Sequence, residues 1–243
     1  MKFVWLLMFA MFVETLGFQN QESRPPEIDF DQYQFGMLKR GPNYTSEKTA
    51  ETEKIQAGHM ANIEKMAKTG KLVAAGPMGG DGPVRGIFIF HGTTIDEAKK
   101  MADEDPAIQS GRLVLEVLPW MAPRGIGKAF GEAYRKDPST KMTMTMYYLG
   151  LVTSGPKVGD RNSPEGKRLF LEHLWDLRRQ LDAKNYASAG PIIGGGTPLR
   201  GLFVIAAKSA EDAKTIVSAN PMLKAEWASV EILPWYVAKE VWP

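Results

Sequence analysis

The chain has no cysteine. That excludes a disulfide framework, a thiol nucleophile, an iron–sulfur cluster and any thiolate zinc site. Histidine is nearly as scarce, with His59, His91 and His173 the only 3 among 243 residues. A three-histidine metal centre would consume all of them, so neither a metal nor another cofactor is expected. A charge excess is missing too: 30 Lys+Arg against 28 Asp+Glu leave a formal charge of +2. Such a balance gives no field for nucleic acid or anionic lipid, and the partner expected is a small-molecule ligand or substrate. No membrane span is expected in the mature chain. The longest apolar run, Phe3 to Val13, follows Lys2 and stops at Glu14; it is shorter than the roughly 20 residues a bilayer requires. Its order, a charge and then a hydrophobic stretch, predicts a secretory signal over residues 1–17 with cleavage after Gly17. The rival is an uncleaved anchor. A cysteine-free exported protein suits a bacterial envelope, so a secreted or periplasmic location is expected. Residues 18–32, with Pro25-Pro26, read as a flexible spacer.

What is present is a repeat. YQFGMLKRGP at 33–42 returns as YYLGLVTSGP at 147–156, and KLVAAGP at 71–77 returns as NYASAGP at 185–191. After the glycine-rich turn the offset grows by one residue. VRGIF at 84–88 matches LRGLF at 199–203, Asp105-Pro106 matches Asn220-Pro221, and EVLPW at 116–120 matches EILPW at 231–235. The spacing predicts two units, 33–120 and 143–239, joined by a linker over 121–142. The linker's glycines and Pro138 argue against a long helix and favour a solvated connector, the alternative being a basic lip over a site.

Within the first unit, Phe35–Leu38, Leu72–Ala75, Ile87–Phe90 and Leu113–Leu118 read as strands. Ser46–Thr69, with Ile55, His59, Ile63 and Met66 at helical spacing, reads as a helix stopped by Gly70. A second helix runs from an N-cap at Thr93 or Thr94 to about Asp103. The order strand–helix–strand–strand–helix–strand predicts an α+β fold of two ferredoxin-like units. Each sheet would have one apolar face left to cover. The expectation is that the two sheets cover each other as an internal dimeric α+β barrel, a pseudo-dimer within one chain.

A helix bearing His59, then Ala75-Gly76-Pro77, a glycine-rich turn at 78–83 and a helix before Asp105-Pro106 resemble the YCII-related (YciI-like) domain. The resemblance covers Tyr33–Trp120 well and Met146–Trp235 less well. It implies a dimeric α+β barrel and a His–Asp active-site pair, carried by His59 and Asp105. Members tied to dehydrochlorination of chloroaromatics imply lyase-type proton chemistry. Some relatives of this barrel class imply haem on a lone histidine.

Histidine suits general acid–base work because its ordinary pKa lies near neutrality, and a neighbouring carboxylate would fix its tautomer. His59 could equally be a core histidine satisfied by one hydrogen bond, and Asp105 a turn residue before proline. In the second unit His173 is kept but Asn220 replaces the acid. That site is expected to lack acid–base function and to hold ligand or structure. Arg85 and Arg200, at matched strand starts, are candidates to grip a substrate carboxylate, or are strand-end surface charges. The glycine-rich turns lead into strands, which excludes a phosphate cradle at a helix N-terminus. Trp120 and Trp235 are expected to seal the barrel ends or the contact between units, and His91 is expected to be incidental surface. The expected function is a small-molecule lyase- or isomerase-like enzyme using His59 and Asp105. The alternative is a non-catalytic ligand-binding or structural module.

Overall fold

The computed structural model describes residues 24–137 and 139–243. The expected leader over 1–17 lies outside the described residues. The first half contains β1 (Phe30–Arg40), α1 (Ala50–Lys68), β2 (Leu72–Pro77), β3 (Val84–His91), α2 (Ile95–Ala102), the single turn α3 (Pro106–Gln109) and β4 (Leu113–Pro123). After α4 (Lys128–Lys136), the second half contains β5 (Met144–Ser154), α5 (Pro164–Asp182), β6 (Tyr186–Pro191), β7 (Leu199–Ile205), α6 (Ala210–Ser218), α7 (Pro221–Lys224) and β8 (Ala228–Ala238). The sheets have orders β2-β3-β1-β4 and β6-β7-β5-β8, with every pairing antiparallel. This is the α+β, ferredoxin-like order, found in both halves.

Local chemistry sets the boundaries. Helix α1 starts at Ala50, not Ser46, because Thr49 and Thr52 form a reciprocal capping box. Gly70, at φ +72°, ends the segment. Thr94 caps α2 in the same way, with Glu97 as its partner. Asp105 does not close a helix; it opens one, capping α3 with Pro106 at the first helical position.

The largest core lies between the two sheets. Tyr33, Phe35, Ile87, Ile89 and Trp120 of one meet Leu149, Leu202, Val204, Trp235 and Val237 of the other. Two further cores lie on the outer faces, beneath α2 and α6. The edges of the sheets also touch. The indole N–H of Trp235 donates to the Gly76 carbonyl at 3.2 Å, and that of Trp120 donates to the Gly190 carbonyl at 3.2 Å. Backbone N–H groups of Gly79 and Ile193 reach the carbonyls of Pro234 (2.7 Å) and Pro119 (2.8 Å). A β-carbon on Gly76 would stand 1.8 Å from the Tyr236 carbonyl oxygen, and one on Gly190 would stand 2.1 Å from that of Met121. The glycine of each Ala-Gly-Pro segment is therefore required by backbone crossing between halves. Both tryptophans are fully buried. At roughly 200 Å² of apolar surface each, removing them from water contributes up to about 5 kcal/mol apiece.

Two stretches expected to be connectors are built into the fold. Strand β1 begins at Phe30, pairing Phe30 with Pro123 and Asp31 with Ala122. Ahead of it, the carbonyls of Arg24 and Glu27 accept from Trp175 and Arg178 of α5. In the segment 121–142, Ala122 and Ile126 are buried and the Gly127 N–H donates to the Val241 carbonyl at 2.6 Å. Among its described residues, those up to Pro123 complete β4 and Lys128–Lys136 form the nine-residue α4. Polar, glycine-rich composition suggested solvation, but tertiary hydrogen bonds to distant carbonyls satisfy this backbone instead.

Candidate active site

A cavity of about 1040 Å³ lies against α1, the edge strand β2 and α4. His59 lines it. Helix α1 presents this side chain toward the sheet, where the imidazole stacks on Phe88 at 6.2 Å between centroids. Its Nδ1 lies 2.6 Å from Asp105 Oδ2. The other carboxylate oxygen of Asp105 accepts the Ala107 N–H at 2.8 Å. A carboxylate with no solvent exposure must be held by donors, so Nδ1 carries the proton and Asp105 accepts it. That leaves Nε2 with its lone pair as the nitrogen available to a ligand. The residue before proline thus caps α3 with one oxygen and fixes an imidazole tautomer with the other.

The second half keeps the histidine but inverts the chemistry. His173 Nδ1 lies 2.8 Å from the Asn220 amide nitrogen and 3.1 Å from its amide oxygen. The Asn220 amide oxygen accepts the Met222 N–H at 3.1 Å, and its nitrogen lies 3.0 Å from Asp176 Oδ2. Asp176 can only accept, so the amide nitrogen donates to it, and the second N–H of that nitrogen is the group nearest to His173 Nδ1. The shorter of the two contacts makes His173 Nδ1 the acceptor, with its proton on Nε2, opposite to His59. Burial holds the His173 pKa below the ordinary value, against the opposing pull of Asn220 and Asp176.

Asp176 is buried and escaped the sequence reading. Its counterpart at offset 114 is Asn62, also buried, whose side-chain nitrogen has no hydrogen-bond partner. The trio is His59, Asn62 and Asp105 in one half and His173, Asp176 and Asn220 in the other. Acid and amide have exchanged places. The signal in the sequence was a polar residue one helical turn after each histidine.

Arg85 also lines the cavity. It is the extra residue of a β-bulge, since Leu38 pairs with Gly86 and Lys39 with Val84. Arg200 occupies the matching bulge but donates to Ser154 Oγ at 3.2 Å and the Thr197 carbonyl at 2.8 Å, and it is not part of this cavity's wall. His173 is likewise absent from that wall, so the five residues expected to act together divide: His59, Asp105 and Arg85 on the first half, His173 and Arg200 on the second. His91 is not incidental surface. Its Nε2 lies 3.1 Å from Asp31 Oδ2, its ring lies 4.8 Å from that of Tyr33, and all three residues line the cavity. The missed cause was β1 extending back to Asp31, opposite the end of β3. Burial raises the Asp31 pKa, but the Gln32 N–H, His91 and Arg124 outweigh it, and the net shift is downward.

Among the described residues, no group of three His, Asp or Glu side chains could hold a metal ion, and no helix is long and apolar enough to cross a membrane.

The fold is similar to that of chlorite dismutase. A mutant of the Candidatus Nitrospira defluvii enzyme in complex with cyanide matches at 11% identity and TM-score 0.52, over 88% of this chain and 93% of that one. The same organism's enzyme in complex with imidazole matches at 12% and 0.52, over 88% and 93%. A candidate chlorite dismutase matches at 13% and 0.54, over 86% and 95%. At such identities the likeness concerns the fold alone. None of the curated proteins matches the chain. The family model of the YCII-related domain matches residues 39–121, a span that contains α1, the Ala-Gly-Pro strand, the glycine-rich turn and both His59 and Asp105. The first half of this chain therefore carries a YCII-related domain.

Proposed function

We propose that the first half is a small-molecule acid–base site. His59 Nε2 would take or return a proton at the substrate, and Asp105 would act as its positioning residue, in a lyase- or isomerase-like reaction. The observation that carries this reading is the 2.6 Å contact from His59 Nδ1 to a fully buried carboxylate, on a histidine that lines the cavity. A positioned base near its working pH contributes about 10²–10⁴ in rate. The imidazolium formed in the step would be stabilised by the charge of Asp105, as in a catalytic triad. The same arrangement, Nδ1–H held by a carboxylate and Nε2 free, also suits a metal-ligating histidine. The residues would thus fit a haem held through His59, which would supply redox chemistry there, and added haemin tests this through an absorbance shift lost in His59→Gln.

The chain would be a tandem duplication of the YCII-like unit, forming an internal dimeric α+β barrel, and the second unit would hold structure or ligand without acid–base work. The equal strand orders and the matched glycines and tryptophans support this. Residues 1–17 would export the protein to a bacterial envelope or beyond.

The test joins nitrogen-15 NMR of the imidazoles to a turnover screen of halogenated and hydroxylated aromatics. The expected result is the Nδ1–H tautomer for His59, and turnover lost 10²–10⁴-fold in His59→Gln. Turnover that survives in His59→Gln overturns the proposal. An Nε2–H tautomer in the wild type does the same. A second reading, a binding module without chemistry, is favoured by the missing acid at Asn220, and predicts ligand binding without turnover in either half.

A further inference from the structure

Three guanidinium groups converge on one ring near the cavity. Arg40 lies 4.7 Å, and Arg85 and Arg112 each 5.8 Å, from the centroid of Tyr44. Tyr44, Arg85 and Arg112 line the cavity that His59 faces. Their partners are neutral: Arg85 donates to the Gly80 carbonyl at 2.7 Å and Arg112 to the Thr45 carbonyl at 2.8 Å. Among the described residues, the single carboxylate within reach is the fully exposed Asp81, 4.0 Å from Arg40. Gathering three like charges costs energy, and one solvated carboxylate at that distance offsets little of it.

The fold does not need this cluster. The backbone that brings its members together is repeated in the second half, where the Gly155 N–H bonds the Trp227 carbonyl as the Gly41 N–H bonds that of Arg112, both at 2.9 Å. There Ser154, Val158 and Trp227 stand at the positions of Arg40, Tyr44 and Arg112. The same turn, bulge and strand form with an alcohol, an alkyl group and an indole. Only the bulge arginine has a counterpart, Arg200, which turns to Ser154 and the Thr197 carbonyl; Arg40 and Arg112 appear only in the half that has the buried acid against its histidine.

We infer that Arg40, Arg85 and Arg112 around Tyr44 form an anion-binding subsite of the His59 cavity, and that the substrate carries a carboxylate or phosphate group. This rests on the acid–base reading of His59 and names the substrate class it acts on. The planar guanidinium donates in pairs to carboxylate and phosphate oxygens, which Lys would not match. Tyr44 holds the guanidinium groups by their faces and leaves N–H edges free for the anion. Arg85 is turned toward the cluster by its bulge. An anion anchored here would be fixed with respect to the base rather than merely attracted to the cavity.

The experiment titrates the full chain with benzoate, inorganic phosphate and neutral benzamide, following the arginine Nε–H signals and heat of binding at low and high salt. The expected result is that benzoate or phosphate binds at least tenfold tighter than benzamide and weakens as salt rises. Arg112→Gln and Tyr44→Leu should each lose at least tenfold, while Arg168→Gln, on an exposed face of α5, should lose nothing. Which anion binds better separates a carboxylate substrate from a phosphorylated one. Equal binding of benzoate and benzamide, or full affinity in both Arg112→Gln and Tyr44→Leu, overturns the subsite. His59→Gln distinguishes the two proposals. Anion binding kept in that variant while turnover is lost supports both. Anion binding with no turnover and the wrong His59 tautomer in the wild type removes the chemistry but leaves the subsite.

Discussion

Exchanging acid and amide in the first half should convert its histidine into a copy of the second. In Asp105→Asn the cap of α3 survives, because Asn caps as well as Asp and Asn220 does so at the matched position. What is lost is a charge-assisted hydrogen bond to His59, worth about 1.5–3 kcal/mol. The new amide brings two N–H donors. One can turn to His59 Nδ1, but the other lacks the carboxylate that Asp176 offers in the second half, since the first half has Asn62 instead. At 2–4 °C per kcal/mol for a chain of this size, the melting temperature should fall by roughly 3–12 °C. Asn62→Asp alone buries a second carboxylate one helical turn from His59 and should also destabilise, by about 1–3 kcal/mol. Together the two changes rebuild the arrangement of His173, Asp176 and Asn220. The double variant should therefore be more stable than the sum of its parts by about 0.5–3 kcal/mol. Urea melts of the four proteins close this cycle, and nitrogen-15 NMR reads the second consequence. His59 should move its proton from Nδ1 to Nε2 in the double variant. Costs that simply add, within about 0.5 kcal/mol, with a tautomer that does not move, would refute the idea that the two trios are one device with its acid relocated.

Three further outcomes follow from the same structure. His173 is held neutral by burial, so the unfolded chain binds the extra proton; its contribution is complete above the ordinary histidine value of ~6.5 and is lost as pH falls below it, at up to about 1.4 kcal/mol per pH unit. Urea melts at pH 7.5 and 5.5 should show that loss, and His173→Gln should shrink it. Gly76→Ala and Gly190→Ala should each cost about 2 kcal/mol or more by driving a methyl group into a carbonyl of the other half, whereas Gly82→Ala, with open space around it, should change stability by less than about 0.5 kcal/mol. Trp235→Phe keeps most of the apolar area but removes the N–H that reaches the Gly76 carbonyl, and a loss of about 1–3 kcal/mol in chemical melts is expected.

Much of this architecture could be read from the chain because short motifs recur along it at a nearly constant spacing. The offset of 114 and then 115 aligned the strands, the Ala-Gly-Pro glycines and the Leu-Pro-Trp endings, and the structure gives those pairs equal duties. What the alignment hid were effects that need three dimensions. The Tyr44 cluster joins residues more than sixty positions apart, drawn together by the Gly41 turn meeting Arg112. Segments 24–32 and 121–127 looked like linkers because the partners of their backbone groups, the Trp175 and Arg178 side chains and the Val241 carbonyl, lie far away in sequence. The acid was the harder case. Asn220 in place of Asp105 reads as the loss of an acid when only those two positions are compared. Asp176 sits among charged residues on a long helix, where a carboxylate normally faces water. Its burial beside Asn220 turns an apparent loss into a relocation, and the orphaned nitrogen of Asn62 marks where that acid would stand in the first half. A histidine fixed as acceptor in one half and as donor in the other is the physical consequence, and it follows from which member of the trio carries the charge.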